Sequence, residues 1–451
     1  MLNSNETICA IATPSGVGAI GVIRLSGSES ISITQKLFSR NIESADSHTL
    51  HFGSIRSTSG ELIDEVLVSV FRDGKSFTGE ESVEISCHGS AYILQQIIAE
   101  LNTAGCRMAK PGEFTQRAFF NGKLDLSQAE AVADLIASQS KKAHDIALKQ
   151  LRGNFSTELK ELREKLIHFA SLVELELDFA EEDVEFADRT ELKQLVADVL
   201  AYIERLAKSF ELGNAIKNGV PVAIVGAPNT GKSTLLNQLL GDDRAIVSNI
   251  EGTTRDVIEE TLNIDGIIFR LIDTAGIREG AEEIEALGIE RSLEKIEQAS
   301  IVLCLADGSS DYSVDSVSKW TKELRETHPD KKILMIINKT DLNNVSSKGS
   351  ISISAKEGTN IDSLKSTLVD LVQGDFNMND ETIVANLRHY EALQKTSEAL
   401  QKTLHGLETN VTGDFVAMDI RQAMFELGQI TGDISTDDLL GNIFSKFCIG
   451  K

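Results

Sequence analysis

Eight residues, Gly226-Ala-Pro-Asn229-Thr230-Gly231-Lys232-Ser233, set two glycines, a lysine and a hydroxyl at the spacing of a phosphate-binding loop. The apolar run 222–225 precedes the loop and Thr234-Leu-Leu-Asn-Gln-Leu-Leu240 follows it, so a strand feeds the loop into a helix. Backbone N–H groups of such a turn, aided by the positive end of the helix, cradle phosphates. Lys232 adds a positive charge, and Ser233 offers its hydroxyl to Mg²⁺. Thr230 and Thr234 flank these groups and belong to the same set. A nucleoside triphosphate is the expected ligand.

Further segments, in order, select guanine. Asn338-Lys339-Thr340-Asp341 follows the strand-like run 333–337. A carboxylate at Asp341 accepts from both the ring N–H and the exocyclic amine of guanine, a donor pair that adenine lacks. Ser354-Ala355-Lys356 follows 351–353 and matches the element whose backbone N–H meets the guanine oxygen in guanine-nucleotide switches. Asp273-Thr274-Ala275-Gly276 ends the apolar run 267–272. Asp273 can orient Mg²⁺ through water there, and the Gly276 N–H can approach the γ-phosphate. In Gly252-Thr253-Thr254-Arg-Asp256, Thr254 is assigned to complete the Mg²⁺ shell when the γ-phosphate is present.

Ras-like GTPases carry a water-orienting glutamine after Asp-x-x-Gly, but Ile277 occupies that place and cannot orient water. Arg278, Glu279, Glu282, Glu283 and Glu285 lie just downstream, and the residues alone do not choose among them. Nucleotide binding without hydrolysis stays a distinct reading at this point.

These motifs need elements to hold them. The chain has 451 residues, enough for several domains. Proline is absent between Pro111 and Pro221 and again after Pro329, which leaves long stretches free for helices. Ser127-Gln-Ala-Glu130 reads as a capping box opening a run with Val132, Leu135, Ile136, Ile146 and Ala147. A second run carries Leu159, Leu162, Leu166, Phe169, Val173 and Leu177, and a third Leu192, Leu195, Val196, Val199, Ile203 and Leu206. Helical spacing returns in Leu387, Tyr390, Leu393, Leu400 and Leu404, then around Met424, Phe425 and Leu427. The acidic run from Glu174 to Glu185 reads as a solvated helix end or loop rather than a metal site.

The expected fold class is therefore multidomain α+β and α/β. Its parts are an N-terminal α+β domain over 1–120, a helical domain from 121–217 and 379–451, and a Ras-like phosphate-loop domain inserted at 218–378.

Acidic residues number 69 against 44 basic, a formal net charge of −25. That balance excludes a general electrostatic attraction for nucleic acid or anionic membranes, so any RNA contact must be local. Cys9, Cys87, Cys106, Cys304 and Cys448 are far apart in sequence and show neither zinc spacing nor a disulfide framework. No basic leader and no apolar run of roughly 18–20 residues is present. A cytoplasmic protein without a membrane partner is expected. The tail Cys448-Ile-Gly-Lys451 lacks the aliphatic pattern of a prenylation box.

Read together, Pro228-Asn-Thr-Gly-Lys-Ser233, Glu251-Gly-Thr-Thr-Arg-Asp256, Asp273-Thr-Ala-Gly-Ile-Arg278 and Phe447-Cys-Ile-Gly-Lys451 closely resemble the MnmE (TrmE) family of tRNA-modification GTPases. The resemblance extends to Gly21-Val-Ile-Arg24-Leu-Ser-Gly27, Phe77-Thr-Gly-Glu80, Cys87-His-Gly89, Pro111-Gly-Glu-Phe-Thr-Gln-Arg-Ala118 and Lys123-Leu-Asp-Leu-Ser-Gln-Ala-Glu130. It implies a folate-binding N-terminal domain that forms a homodimer, a helical domain from both flanks, and an inserted GTPase domain. It also implies work with the FAD-carrying flavoprotein MnmG, as a heterooligomer, on the wobble uridine of certain tRNAs. A carboxymethylaminomethyl or aminomethyl group is added at carbon 5. The one-carbon unit comes from 5,10-methylene-tetrahydrofolate or a relative, and the nitrogen from glycine or ammonium.

By the same resemblance, Ser248-Asn249-Ile250-Glu251-Gly252-Thr253 contacts the nucleotide, and Asn229, Ser248, Ile250 and Thr253 hold K⁺. A cation beside the phosphates can replace an arginine finger electrostatically. Glu285 corresponds to the glutamate that positions the attacking water when two GTPase domains meet. Arg24, Glu84, Lys123 and Lys451 correspond to folate contacts: the cations meet carboxylates, and Glu84 accepts from the amino-pterin edge. Without the family they would read as scattered surface charges. Cys448 is either a participant in modification or a small packed residue. The competing expectation is a GTP-regulated RNA-binding or ribosome-assembly switch with no part in covalent modification.

Overall fold

The structure, a computed structural model, describes residues 6–178, 189–241, 260–272, 294–343, 347–374, 382–409, 411–447 and 449–450. The chain forms two compact units, one of Met1–Ile136, Leu148–Val196 and Glu398–Lys451, the other of Ala137–Ala147 and Ala197–Ser397.

The first unit opens with β1 (Ile8–Ile11), β2 (Ile20–Ser26), α1 (Ser30–Leu37), β3 (Thr49–Arg56), β4 (Leu62–Phe71), β5 (Ser82–His88), α2 (Ala91–Ala104) and β6 (Arg107–Met108). The strands make one sheet in the order β3-β4-β5-β2-β1-β6, antiparallel except for β1 with β6. Period-two alternation explains its two faces. Ile23, Leu25, Val66, Val68, Val70, Val83, Ile85 and Cys87 enter a core shared with Ile33, Leu37, Ile97 and Leu101 of α1 and α2. The intervening residues, among them Arg24 and Glu84, are left on the other face. An α+β fold is thus present here.

Next come α3 (Glu113–Phe120), α4 (Leu126–Ala137), α5 (Lys141–Leu151), α6 (Asn154–Asp178) and α7 (Arg189–Lys208). The expected capping box at Ser127 and Glu130 is displaced by two residues. Gln128 N–H donates to Asp125 Oδ1 at 2.9 Å, and Asp125 N–H to Gln128 Oε1 at 2.9 Å, so Asp125 and Gln128 make the reciprocal pair. Ser127 lies inside α4 instead, where its hydroxyl and carbonyl accept from Gln150 Nε2 at 3.2 and 2.8 Å. The run expected from Val132 to Ala147 is also broken. Ser140 Oγ accepts from Ala143 N–H at 3.2 Å and starts α5 afresh.

The second unit carries α8 (Phe210–Asn218), β7 (Val220–Gly226), α9 (Lys232–Leu240), β8 (Glu260–Ile264), β9 (Ile267–Leu271), β10 (Ile301–Asp307), α10 (Asp311–Thr327), β11 (Lys332–Asn338), β12 (Ser350–Ser352) and α11 (Ile361–Gln373). The sheet order is β12-β11-β10-β7-β9-β8, all parallel except the β8–β9 hairpin. Its central strands are buried on both faces, as parallel strands under two helical layers must be. Val222 and Ile224 of β7 face one core with Leu235, Leu239 and Leu364. Ala223 and Val225 face the other with Val314, Val317 and Leu324 of α10.

The chain enters and leaves this α/β region at one place. Val384 N–H donates to Ser209 Oγ at 3.0 Å. The Phe210 and Tyr390 rings stack at 4.4 Å and 11°. Gly213 faces the Val384 carbonyl where no Cβ fits.

The closing helices are α12 (Leu387–Glu408), α13 (Gly413–Thr431) and α14 (Asp437–Phe444). Leu387, expected in the apolar stripe of α12, is 57 % exposed. Buried Thr396 and Thr403 fill the face instead, each satisfying its hydroxyl on a carbonyl four residues earlier, at 2.8 and 3.0 Å. In the first unit α13 packs on α6, burying Val416, Ile420 and Leu427 beside Leu159 and Leu166. Phe425, which the sequence placed in the apolar period, is 44 % exposed.

The cysteines, distant in sequence, are not all distant in space. Cys9 and Cys106 share a core and a side-chain hydrogen bond, which together with burial pushes the Cys106 thiol up. Burial pushes Cys87 and Cys304 up to about 11 each. Cys87, Cys106 and Cys304 are thus held as thiols, whereas the hydrogen bond from Cys106 pulls the Cys9 thiol down against its burial.

Candidate functional site

The loop between β7 and α9 is built around backbone conformations that suit glycine. Gly226 has φ 156° and Gly231 φ 96°. A Cβ on Gly226 would lie 2.6 Å from the Leu305 carbonyl, and one on Gly231 would run into Asn338 Nδ2. Asn229 also adopts a left-handed φ of 62°. Thr230 is buried and donates from Oγ1 to the Ala227 carbonyl at 2.9 Å. Lys232 Nζ donates to the carbonyls of Gly226 and Ala227 at 2.8 and 2.9 Å. Ser233 and Thr234 follow, exposed, in the first turn of α9. This is the cradle that a phosphate chain requires, and Ser233 fits a Mg²⁺ ligand.

One buried side chain joins that cradle to the segments expected to read the base. Asn338 Nδ2 donates to the Thr230 carbonyl at 2.8 Å, and Asn338 Oδ1 accepts from Ala355 N–H at 2.9 Å. Asp341 Oδ1 accepts from Ser354 Oγ at 2.6 Å, which fixes the orientation of its carboxylate. Thr340 N–H donates to the Ile353 carbonyl at 3.2 Å. Lys356 stays exposed, 3.7 Å from Glu357. Lys339, at a left-handed φ of 64°, reaches Asp307 at 2.6 Å.

Ser248, Asn249, Ile250, Glu251, Gly252, Thr253, Thr254, Asp273, Thr274, Ala275, Gly276, Glu285, Cys448 and Lys451 lie outside the described residues.

In the first unit, strand register does what sequence spacing could not. Arg24 on β2 stands opposite Glu84 on β5. Arg24 Nε and Nη2 donate to Glu84 Oε1 at 2.9 and 2.8 Å. Phe77 and Phe114 each place a ring 5.8 Å from the guanidinium carbon. Lys123 Nζ donates to the Gly74 carbonyl at 2.6 Å, and its Cε lies 3.3 Å from where a Cβ on Gly79 would sit. Arg24, Glu84 and Lys123 thus meet around one loop, 74–80. Arg24 meets Glu84 through Nε and Nη2, which partly offsets its charge. The exposed Phe77 ring lies beside the Arg24 guanidinium, which in turn holds Glu84, and offers a flat face to a heterocycle.

The family described as GTP-binding protein TrmE N-terminus matches residues 7–123. The MnmE helical domain family matches residues 126–448. The chain belongs to the MnmE family. The tRNA modification GTPase MnmE of Cytophaga hutchinsonii is 53 % identical to it over 460 residues, covering 100 % of this chain and 98 % of that one. The proteins of the same name from Flavobacterium johnsoniae and Bacteroides fragilis are each 52 % identical, covering 100 % and 99 % of this chain and 100 % of their own. The two MnmE-family matches abut between Lys123 and Leu126, beside the Asp125 cap that starts α4.

Reasoning from sequence missed several residues that build these sites in this MnmE-family chain. Asp307 ends β10, and the pattern of an apolar run closing on an aspartate, Ile301-Val-Leu-Cys-Leu-Ala-Asp307, was there to be read. Glu80 accepts from Ser26 Oγ at 2.7 Å and from Arg117 Nη1 at 3.0 Å, holding the 74–80 loop to β2 and α3. Glu113 and Arg117 form a nearly solvent-free pair at 3.1 Å. The i,i+4 spacing of Glu113 and Arg117 was legible, but no local spacing announces Glu80.

Proposed function

We propose that this chain is a GTP hydrolase acting in tRNA modification, as the names of its relatives describe those proteins. The observation that carries the reading is the Asn338 side chain. It ties the phosphate loop at Thr230 to the base-reading segment at Ala355, so the motifs form one guanine-nucleotide site. Lys232, the Gly231 turn and the start of α9 hold the phosphates, and Asp341 recognises guanine.

The finer reading follows the family. Ser233 and Thr254 hold Mg²⁺, and Asn229, Ser248, Ile250 and Thr253 hold K⁺. Bound there, these cations supply positive charge where the phosphate oxygens gain negative charge. Glu285 orients the attacking water in place of the residue that Ile277 cannot be. Arg24, Glu84, Lys123 and Lys451 form a folate site that binds 5,10-methylene-tetrahydrofolate or a relative, the source of the one-carbon unit. Cys448 takes part in the modification.

The protein works as a cytoplasmic homodimer with the flavoprotein MnmG, which brings FAD, and with tRNA. The N-terminal domain covers 1–120, the helical domain 121–217 and 379–451, and the GTPase domain 218–378. In this scheme GTP drives a switch and does not donate the modifying group.

The test is nucleoside mass spectrometry of tRNA from cells lacking the protein, with and without the intact chain restored. Loss and recovery of C5-modified wobble uridine is the expected result. Unchanged levels in cells with no redundant enzyme would leave a regulatory GTP switch instead.

A further inference from the structure

The base-reading segment sits on a backbone that resists its own conformation. Lys339 is not glycine, yet its φ of 64° lies in the left-handed region that side-chain-bearing residues rarely adopt. That turn sets the direction in which the chain leaves Asn338 and presents Asp341, two residues on. Something must hold it.

The end of β10 is shaped to do so. Asp307 lies opposite Asn338 in register, and Gly308 N–H donates to the Asn338 carbonyl at 2.8 Å. Gly308 also admits no side chain there, since a Cβ would lie 2.8 Å from that same oxygen. The Asp307 carboxylate meets Lys339 Nζ through Oδ2 at 2.6 Å, while its Oδ1 accepts from Ser309 N–H at 2.9 Å and Ser309 Oγ at 2.6 Å. Its own N–H donates to Ser313 Oγ at 3.0 Å. The carboxylate is therefore fixed before it meets the lysine. Partial burial works to raise the Asp307 pKa, but the hydrogen bonds from Lys339 and Ser309 outweigh it and hold the carboxyl below its usual range.

We propose that Asp307 is a positioning residue for guanine-nucleotide binding, acting through Lys339 to hold the left-handed turn that aims Asp341 at the base. The proposal rests on the guanine reading of the site. It adds a residue from a different strand and assigns Lys339 a structural duty besides any contact with the nucleotide. Because the base is common to both nucleotides, Asp307 governs GTP and GDP affinity alike and leaves the phosphate chemistry alone.

The experiment is calorimetric binding of GDP and GTP, with steady-state hydrolysis, on the full chain and its Asp307→Asn variant. Loss of one charge-assisted bond at a partly exposed site predicts about a tenfold weakening of both affinities. KM is expected to rise in step, with kcat within about twofold, the split that marks lost ground-state binding. Asp307→Glu should recover part of the affinity. The double variant with Lys339→Gln should bind no more weakly than Lys339→Gln alone, because the two side chains act as one unit.

Unchanged affinity in Asp307→Asn, or additive losses in the double variant, would overturn the proposal. Should Asp307→Asn fail to fold, Asp307→Glu carries the test: an intermediate loss supports the role and none refutes it. GTP, ATP and xanthosine triphosphate are compared on the unmodified chain in the same series. No preference for GTP there sinks the guanine reading itself, whereas a clear preference beside a wild-type-like Asp307→Asn sinks only this inference.

Discussion

Asp341 accepts a hydrogen bond from Ser354 Oγ, and that restraint makes its substitution informative. Asp341→Asn keeps the size of the side chain but replaces one carboxylate oxygen by an NH₂ donor and removes the charge, so one of guanine's two N–H groups loses its acceptor and the other loses a charged one. GTP affinity should fall by a factor of about ten to a hundred, the range for a hydrogen bond to a charged group, while xanthosine triphosphate gains. Competition binding between the two nucleotides measures this directly, and an unchanged ratio contradicts the assignment. Asn229 supports a second expectation. If its side chain helps hold K⁺, replacing K⁺ by Na⁺ should slow GTP hydrolysis strongly in the intact chain and hardly at all in Asn229→Ala. Equal rates in the two salts would refute the K⁺ role.

Elements carry consequences of their own. Asp125 caps α4 in place of Ser127, so Asp125→Ala should destabilise the first unit by about 1 kcal/mol through loss of the reciprocal bonds with Gln128. Urea unfolding followed by helix content would detect it. At the start of α3, burial works to raise the Glu113 pKa, but bonds from Arg107, the Lys110 N–H and Arg117 overcome it and hold the carboxyl below the ordinary range. A carboxyl depressed in the folded state contributes stability above its unfolded pKa, about 4.3, and loses that contribution as pH falls through the folded value. Stability of the first unit should therefore drop with acidification below about pH 5. Glu113→Gln should flatten that slope, at a cost of about 1–3 kcal/mol near neutrality, because Arg117 keeps its pairing with Glu80.

Elements also show where a sequence stops speaking. The phosphate loop, the Asn-Lys-Thr-Asp segment and their flanking strands are local patterns in which neighbours in sequence do the chemistry. Arg24 and Glu84 meet only through strand register, and the Asp307–Lys339 pair only through adjacent parallel strands. The cap of α4 was misplaced because Asp125-Leu-Ser-Gln128 and Ser127-Gln-Ala-Glu130 satisfy the same rule, and burial of Ser127 against Gln150 decides between them. Leu387 is exposed against expectation, while Thr396 is buried because a threonine can satisfy its hydroxyl on its own helix.

At the scale of the whole molecule, the contact between Ser209 and Val384 reaches beyond stability. A chain that departs and returns through one 3.0 Å hydrogen bond has drawn a pair of brackets around everything between. Closing such a short gap costs little chain entropy, so the bracketed stretch is separable in a way that few internal regions are. Deleting 210–383 and joining the ends with a short glycine link should leave a chain whose remaining helices still form. Circular dichroism would show their signal and its cooperative melting retained, with GTP hydrolysis gone. Two cuts in the gene would then turn a switchable protein into its constitutive remainder, and the reverse pair of cuts gives inheritance a simple route by which a helical protein without a clock could have acquired one.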